Sequence, residues 1–484
     1  MLLSLRDASG PLYRRVYLAL KGKIRAGGLG PAARVPSTRA LARDLGVSRN
    51  TVLLAYEQLA AEGYLVSRHR GATSVGPVEP PRAAPAPARS SAERRAPVSA
   101  YARRLSARLD LPAARSPGPR PALRYDFRYG RPAVDEFPRE IWRRLLAAHA
   151  RHASADALGY GSPAGHPALR AALSDYLGRA RGVVSDPDRI VVVNGAQQAL
   201  DLVARVLLDP GDGAVVEEPH YPGATIPFEA VGARLLRVPV DAGGLDPARL
   251  PLAAERPRLA YVTPCHQFPT GVIMPLERRL ALLRWASRVG AWIVEDDYVS
   301  EFRYEGHPLE ALQSLDRDER AIYLGSFSKT LFPALRVGYL VLPRALVPPF
   351  LAAKWAADRF SAPLYQAALA ELITGGRFER YLRRAGARNA GRRRALIAAL
   401  REAFGDRVEI AGENTGVHLV VWLNDVTARQ LPALIQRAAR AGVGIYPVAP
   451  SYAEPPRRAG LLFGYAALTE SEIRAGVRRL ASLV

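Results

Sequence analysis

The sequence predicts a multidomain chain: a small, mainly helical unit of helix-turn-helix type, then a much larger α/β body that ends in a smaller α+β part. Three observations carry this reading. Helical apolar spacing with serine starts and glycine stops fills residues 1–76. Short apolar runs alternate with helical patterns from about 122 onward. A stretch rich in Pro, Ala, Ser and Arg, residues 77–121, stands between them. At 484 residues and 49% hydrophobic, the chain is too long for one ordinary domain and apolar enough to bury a large core.

The first helix is predicted in "PLYRRVYLALKGKIRAG", where Leu12, Val16, Leu20 and Ile24 share a face and glycines 27, 28 and 30 stop it. A second starts at the Ser37 cap, sets Leu41 and Leu45 one turn apart, and stops at Gly46. A third starts at the Ser48 cap and runs to Gly63. Two helices joined by a short Gly-containing turn are a helix-turn-helix. "YLVSRHRGATSV" then alternates and turns at Gly71, a small hairpin. Residues 77–121 have the composition of a linker, semi-rigid where prolines cluster, with a short helix at most around 98–109.

Within 122–484, candidate strands are "RIVVVNG", "GAVVEEP", "ARLLRVPV", "LAYVTP", "AWIVEDD", "AIYLGSF" and "VGYLVLP". Helices such as "QQALDLVARVLL" and "LERRLALLRWASRVG" lie between them. That alternation implies a largely parallel sheet covered by helices, over about 155–345. From about 350 to 484 the pattern is more helical, with strands at "GVHLVVWL" and "GLLFGYA". There is no run of about 18 apolar residues, and "MLLSLRDASG" meets Arg6 and Asp7 too early for a signal peptide. With a single cysteine, Cys265, an internal disulfide is excluded, and a cytoplasmic protein without a membrane span is expected.

Net charge is +23, and it is unevenly spread. Residues 1–120 hold 21 Lys/Arg and 7 Asp/Glu, a net of +14, which leaves +9 for the remaining 364 residues. A basic amino-terminal quarter favours a polyanionic partner. The helix-turn-helix supplies the means. The first turn of its second helix is Ser48, Arg49, Asn50 and Thr51, of which Arg49 suits guanine and the hydroxyls suit phosphates. Arg39 and the hairpin residues Arg68, His69 and Arg70 add candidate backbone or minor-groove contacts. "VPSTRALARDLGVSRNTVLLAYEQLAAEGYLVSRHRGATSV" resembles the winged helix-turn-helix of GntR-type bacterial regulators. The resemblance implies double-stranded operator DNA as partner and places contacts on Arg39, Ser48, Arg49, Asn50, Thr51 and the wing around Gly71.

Lysine usage raises a separate question. Only Lys21, Lys23, Lys329 and Lys354 occur among the 68 basic residues, so a retained lysine is a candidate for a position that needs an amine. Arginine cannot give up its proton near neutral pH, whereas lysine can, and can then form a Schiff base with an aldehyde. Lys329 follows a predicted strand in "AIYLGSFSK", with Ser326 and Ser328 beside it and Arg336 seven residues on. That set suits a cofactor carrying both an aldehyde and a phosphate, as pyridoxal 5'-phosphate (PLP) does. "IVEDDYVSEF" supplies Asp296 for a pyridine nitrogen and Tyr298 for a ring oxygen, although a solvated strand end or a metal site has the same composition. Gly195, Ala196 and Gln197 open a helix after a strand, a phosphate cradle or an ordinary junction. Tyr221 in "HYPG" and Tyr160 in "YGSPAG" are candidate ring contacts or plain turns.

In their order and spacing, Tyr160, Gly195 to Gln197, Tyr221, "TPCHQFPTG", "EDDY", "SFSK" and Arg336 resemble fold-type I aminotransferases over about 350 residues. The resemblance implies a Schiff base at Lys329, Asp296 on the pyridine nitrogen and Tyr298 on the ring oxygen. It further implies a phosphate cup of Ala196, Gln197, Ser326, Ser328 and Arg336, with Tyr160 crossing from the second subunit of a homodimer. Phe268 stands where the family commonly has Asn, which leaves His266 or Gln267 to replace its hydrogen bond. The family's carboxylate-binding arginine falls in register at Leu462, with Arg457 and Arg458 as nearby candidates. Head, linker and body together resemble the MocR subfamily of GntR-type transcriptional regulators. That resemblance implies a regulator that senses PLP, or an amine or amino-acid effector, through Lys329. A working aminotransferase with an accessory head and a DNA-binding protein with a cofactor-free scaffold are the rival readings, and no metal is assigned.

Overall fold

The computed structural model describes residues 5, 10–67, 72–77, 97–108, 123–306 and 309–484. The chain forms two compact units, residues 1–97 and 98–484. Among the described residues no helix is long and apolar enough to cross a membrane.

In the smaller unit three helices, Leu12–Arg25, Thr38–Leu45 and Arg49–Ala61, close on one core with an antiparallel hairpin of Leu65–Ser67 and Thr73–Val75. Val16, Leu20 and Ile24 meet Leu41, Val52, Leu59, Leu65 and Val75 there, all essentially buried. Leu12, expected on that face, is exposed because it lies in the first turn, ahead of the point where the other elements close. Both predicted caps form: Ser37 Oγ accepts from Ala40 N at 3.2 Å and Ser48 Oγ accepts from Thr51 N at 3.1 Å. Gly46 ends the second helix at φ +66°, the left-handed region where a side chain is penalised.

The larger unit is built on an eight-stranded sheet. Its order is Ile190–Val193, Gly338–Val341, Ala321–Ser326, Trp292–Asp297, Pro257–Val262, Gly213–Glu218, Arg234–Asp241 and Gly244–Leu245. All seven apolar runs read from the sequence are strands of it. From Ala321–Ser326 through Arg234–Asp241 the neighbours are parallel, while Gly338–Val341 runs antiparallel to both of its neighbours. Alternate residues serve opposite layers. Val216, Tyr261, Val294 and Leu324 pack under the Ala196–Leu207 helix, and Val215, Ala260, Val262 and Ile293 pack with Leu282 and Ala286 of Leu276–Val289. Burial on both faces explains why these strands read as continuous apolar runs.

A second sheet, in the order Val408–Ala411, His418–Thr427, Arg458–Gly464 and Tyr446–Pro447, forms the carboxy-terminal part with the 28-residue helix Arg377–Phe404. Tyr125–Asp126 pairs in parallel with Val443–Gly444, and Phe127 is fully buried in that same core, so the start of the body is anchored in its end. A two-residue strand carries no periodicity for sequence reading to find. Within the stretch read as linker, Ala100–Arg108 is a helix that belongs to the larger unit. Tyr101 donates to Asp201, Arg104 to the Ala230 carbonyl and Arg108 to Glu229.

Replacing Ser48 with Ala is expected to destabilise the third helix by about 1 kcal/mol. In the full chain this should appear as about fivefold faster amide exchange over residues 49–61, with Ser48→Asp restoring protection; unchanged exchange in Ser48→Ala would show that the cap is dispensable.

Candidate cofactor and DNA sites

The parallel strands end together, and their carboxyl ends open onto one cavity of about 300 Å³. Strand alternation decides which side chains enter it. Asp296 faces the cavity, whereas its neighbour Asp297 turns to the opposite face and is held by Arg181 at 2.7 Å, Tyr323 at 2.7 Å and Ser300 at 2.7 Å. Tyr261, from the adjacent strand, donates to Asp296 Oδ2 at 2.6 Å. Asp296 Oδ1 and the Tyr298 hydroxyl are buried there with no protein partner. Burial pushes the Asp296 carboxyl up to about 7 and holds the Tyr298 hydroxyl well above its ordinary value.

Lys329 enters from the turn after Ala321–Ser326 and donates to the Gly130 carbonyl at 2.9 Å. Burial, reinforced by Arg336 and opposed by Asp296, lowers its pKa, so the uncharged amine is more accessible than in water. Gly130 has φ +72°, and a Cβ there would come within 2.7 Å of Nζ. At the other end of the cavity Ser326 Oγ donates to Ser328 Oγ at 3.0 Å, and Arg336 donates to the Asn194 carbonyl at 2.6 Å. Gly195, at φ +84°, precedes the Ala196–Leu207 helix, and a Cβ on it would lie 2.8 Å from the Arg336 guanidinium. That approach needs glycine.

Lys354 supports this end from behind. It is fully buried, and its Nζ donates to Asp358 Oδ1 at 2.5 Å and to Ser361 at 3.1 Å. Asp358 Oδ2 in turn accepts from Asn194 and Gln198, each at 2.7 Å. Retention of a lysine among so many arginines therefore has two causes in this chain: an amine facing a cavity at 329, and a compact cation inside a packed helix at 354.

Of the sequence-predicted residues, Ala196, Gln197, Tyr221, Asp296, Tyr298, Ser326, Ser328, Lys329 and Arg336 line the cavity, with Gly195 against Arg336. Tyr160 does not; it is 79% exposed, with the Arg359 guanidinium 4.4 Å from its ring centre. Arg458 lies outside too, bound to Glu409 at 2.8 Å and Asn424 at 2.9 Å, and Arg457 is exposed. Neither suggested replacement for the missing Asn lines the cavity. Gln267 is consumed by the carbonyls of Pro219 and Phe268, both at 2.7 Å, and His266 faces Thr415. Tyr129, Gly130, Tyr261, Thr263, Pro333, Val417 and His418 also line it. They come from separated loops and strands with no shared spacing, so only the packed chain brings them together.

In the smaller unit Arg39, Arg49 and Asn50 are exposed. Ser48 and Thr51 are less free than the sequence suggested, because their hydroxyls bond each other at 2.8 Å in addition to the cap. Arg68, His69 and Gly71 lie outside the described residues.

The fold and cavity define a protein with a winged helix-turn-helix unit and an aminotransferase-like body. Residues 12–75 match the bacterial regulatory proteins of the gntR family, and residues 133–480 match aminotransferase class I and II. Over its whole length the chain is 40% identical to the probable rhizopine catabolism regulatory protein MocR of Rhizobium meliloti, covering 95% of that protein. It is 34% identical to the HTH-type transcriptional regulator TauR of Rhodobacter capsulatus, across 98% of this chain and 96% of that one. The crystal structure of LysN, an α-aminoadipate aminotransferase of Thermus thermophilus, superposes with a TM-score of 0.68 at 32% identity, covering 74% of this chain and 91% of LysN.

The chain belongs to the MocR-type regulators of the gntR family, DNA-binding transcriptional regulators with a class I and II aminotransferase body. The cofactor of that body is pyridoxal 5'-phosphate. The cavity fits it on its own chemistry: a depressed lysine amine, an orphaned buried carboxyl oxygen and hydroxyl, and a glycine-lined cradle beside Arg336.

Because the folded Asp296 carboxyl titrates near 7, above its ordinary value, its contribution to stability is fully present at low pH and is lost as pH rises through about 7. Thermal melts of cofactor-free protein should therefore show Asp296→Asn gaining on wild type between pH 5 and pH 8. A wild-type-to-variant difference that is the same at both pH values would contradict the buried-carboxyl assignment.

Proposed function

We propose that this chain is a cytoplasmic, homodimeric regulator in which the state of the PLP-loaded cavity sets how the winged unit holds operator DNA. The observation that carries the reading is the convergence, at one sheet end, of an amine, a carboxyl, a tyrosine and a phosphate-sized set of donors. Bound there, PLP supplies an aldehyde that reacts reversibly with primary amines. Lys329 offers its amine to that aldehyde. Asp296 keeps a proton on the pyridine nitrogen, which answers the unpartnered Oδ1 and favours the ionised carboxylate at neutral pH. Tyr298 donates to the ring oxygen, and Tyr221 lies against the ring. Ser326, Ser328, Arg336 and the amides of Ala196 and Gln197 hold the phosphate at a helix amino terminus.

On the DNA side, Arg49 and Asn50 are the base readers and Arg39 a phosphate contact, with Ser48 and Thr51 shaping the turn that presents them. Arg68, His69 and Gly71 complete the set of DNA contacts expected from the sequence. Tyr160, exposed and stacked under Arg359, suits a contact that a second subunit completes. An amine effector, or PLP itself, acts by binding two conformations of the dimer unequally.

The test of the cofactor role is Lys329→Ala. After mixing with PLP and gel filtration, wild type should retain a visible absorbance band, and the variant should lose it while keeping its fold by circular dichroism. A variant that retains the wild-type band would refute the assignment of Lys329.

A further inference from the structure

The third helix of the smaller unit, Arg49–Ala61, buries Val52, Ala55, Tyr56 and Leu59 in the core of that unit. Its outward face begins with Arg49 and Asn50. Four residues on from each, one turn further along, stand Leu53, 38% exposed, and Leu54, 51% exposed. A helix face that meets only water carries polar or charged residues in such places. Two adjacent leucines leave apolar surface in water, which favours a partner that covers them.

Charge along the helix decides what that partner is. Arg49 is its only basic residue, Glu57 stands exposed in the third turn, and Glu62, which caps its end, is bound to Lys21 at 2.6 Å. The positive end of the helix dipole is also at the amino terminus, so DNA phosphates attract the first turn and repel the third. The helix therefore enters the major groove first turn foremost, and its first two turns are the ones that reach base edges. The apolar group that a base edge offers there is the 5-methyl of thymine. Leu53 and Leu54 match it in chemistry, and they continue the face that Arg49 and Asn50 begin.

Resting on the reading of Arg49 and Asn50 as base readers, we infer that Leu53 and Leu54 read the methyl group of a thymine in the operator half-site. Four residues of helix rise about 6 Å, so that thymine lies about two base pairs from the base that Arg49 contacts.

The experiment uses the full chain loaded with PLP. Duplexes that bind are first selected from a random library at one fixed salt concentration, and the selected sites should share an A·T pair about two positions from a G·C pair. Anisotropy then compares a selected duplex with one in which deoxyuridine replaces that thymine, a change that removes the methyl group alone. Wild type should lose about fourfold in affinity, the worth of one buried methyl group. With Leu53→Ala and Leu54→Ala combined, the loss should shrink to less than about twofold. A wild type indifferent to deoxyuridine at every thymine of the site overturns the methyl contact, whatever the variant does. A folded variant that keeps the wild-type loss overturns the assignment to the two leucines; if it also sediments as a smaller species, they cover a second copy of the chain instead. Selection that recovers no shared sequence overturns the reading of Arg49 and Asn50 as base readers, and the methyl contact with it.

Discussion

The body of this protein depends on holding a half-buried lysine amine and a buried aspartate carboxyl in one cavity with neither in a close ion pair. Each is costly where it stands: burial lowers the pKa of Lys329 and raises that of Asp296 to about 7. Such a pair persists only if the surrounding fold is stable enough to hold it. The surrounding fold is an eight-stranded sheet buried on both faces, with strand ends that aim alternate residues into and away from the cavity. Under the proposed cofactor role the cost has a chemical use, because a lysine of lowered pKa is more often the free amine that can attack an aldehyde, and a buried carboxylate gains a partner in a protonated ring nitrogen.

A second layer of polar contacts keeps the cavity in shape. Lys354, Asp358 and Asn194 form a partly buried chain that ends at the carbonyl Arg336 holds. On the other side Glu217 accepts from Thr263 Oγ1 at 2.7 Å, and Thr263 Oγ1 accepts from Phe268 N at 3.0 Å, tying the cavity wall to the strand beneath it. Removing any one member of such a network leaves a buried polar group unpaired. The Arg336 end of the cavity is therefore held in place by residues that do not line it.

Much of this was legible in the sequence. Strands buried on both faces announce themselves as apolar runs, and the residues at their carboxyl ends, Asp296 and Lys329 among them, inherit a position from the strand that carries them. Residues placed by tertiary packing left no such trace. Tyr129, Val417 and His418 come from segments nearly 290 residues apart, and Tyr125–Asp126 is too short to show a period. Gln267 and Arg458 had the right chemistry but are occupied elsewhere, which only the hydrogen bonds disclose. The excess of arginine over lysine pointed at position 329, which lines the cavity, yet it singles out Lys354 equally, and that lysine is packed away from the cavity against Asp358.

Function requires that the cavity and the winged unit exchange free energy, because a ligand with equal affinity for two conformations shifts neither. The most direct measurement is fluorescence anisotropy on duplex DNA from upstream of this protein's own gene, comparing cofactor-free and PLP-loaded protein at one fixed salt concentration, since phosphate contacts make affinity salt-dependent. The account predicts dissociation constants that differ by at least about fivefold, the lower end of ordinary allosteric coupling. Equal affinities for the two forms would contradict PLP itself as the signal, and no preference over an unrelated duplex would contradict control of the protein's own gene.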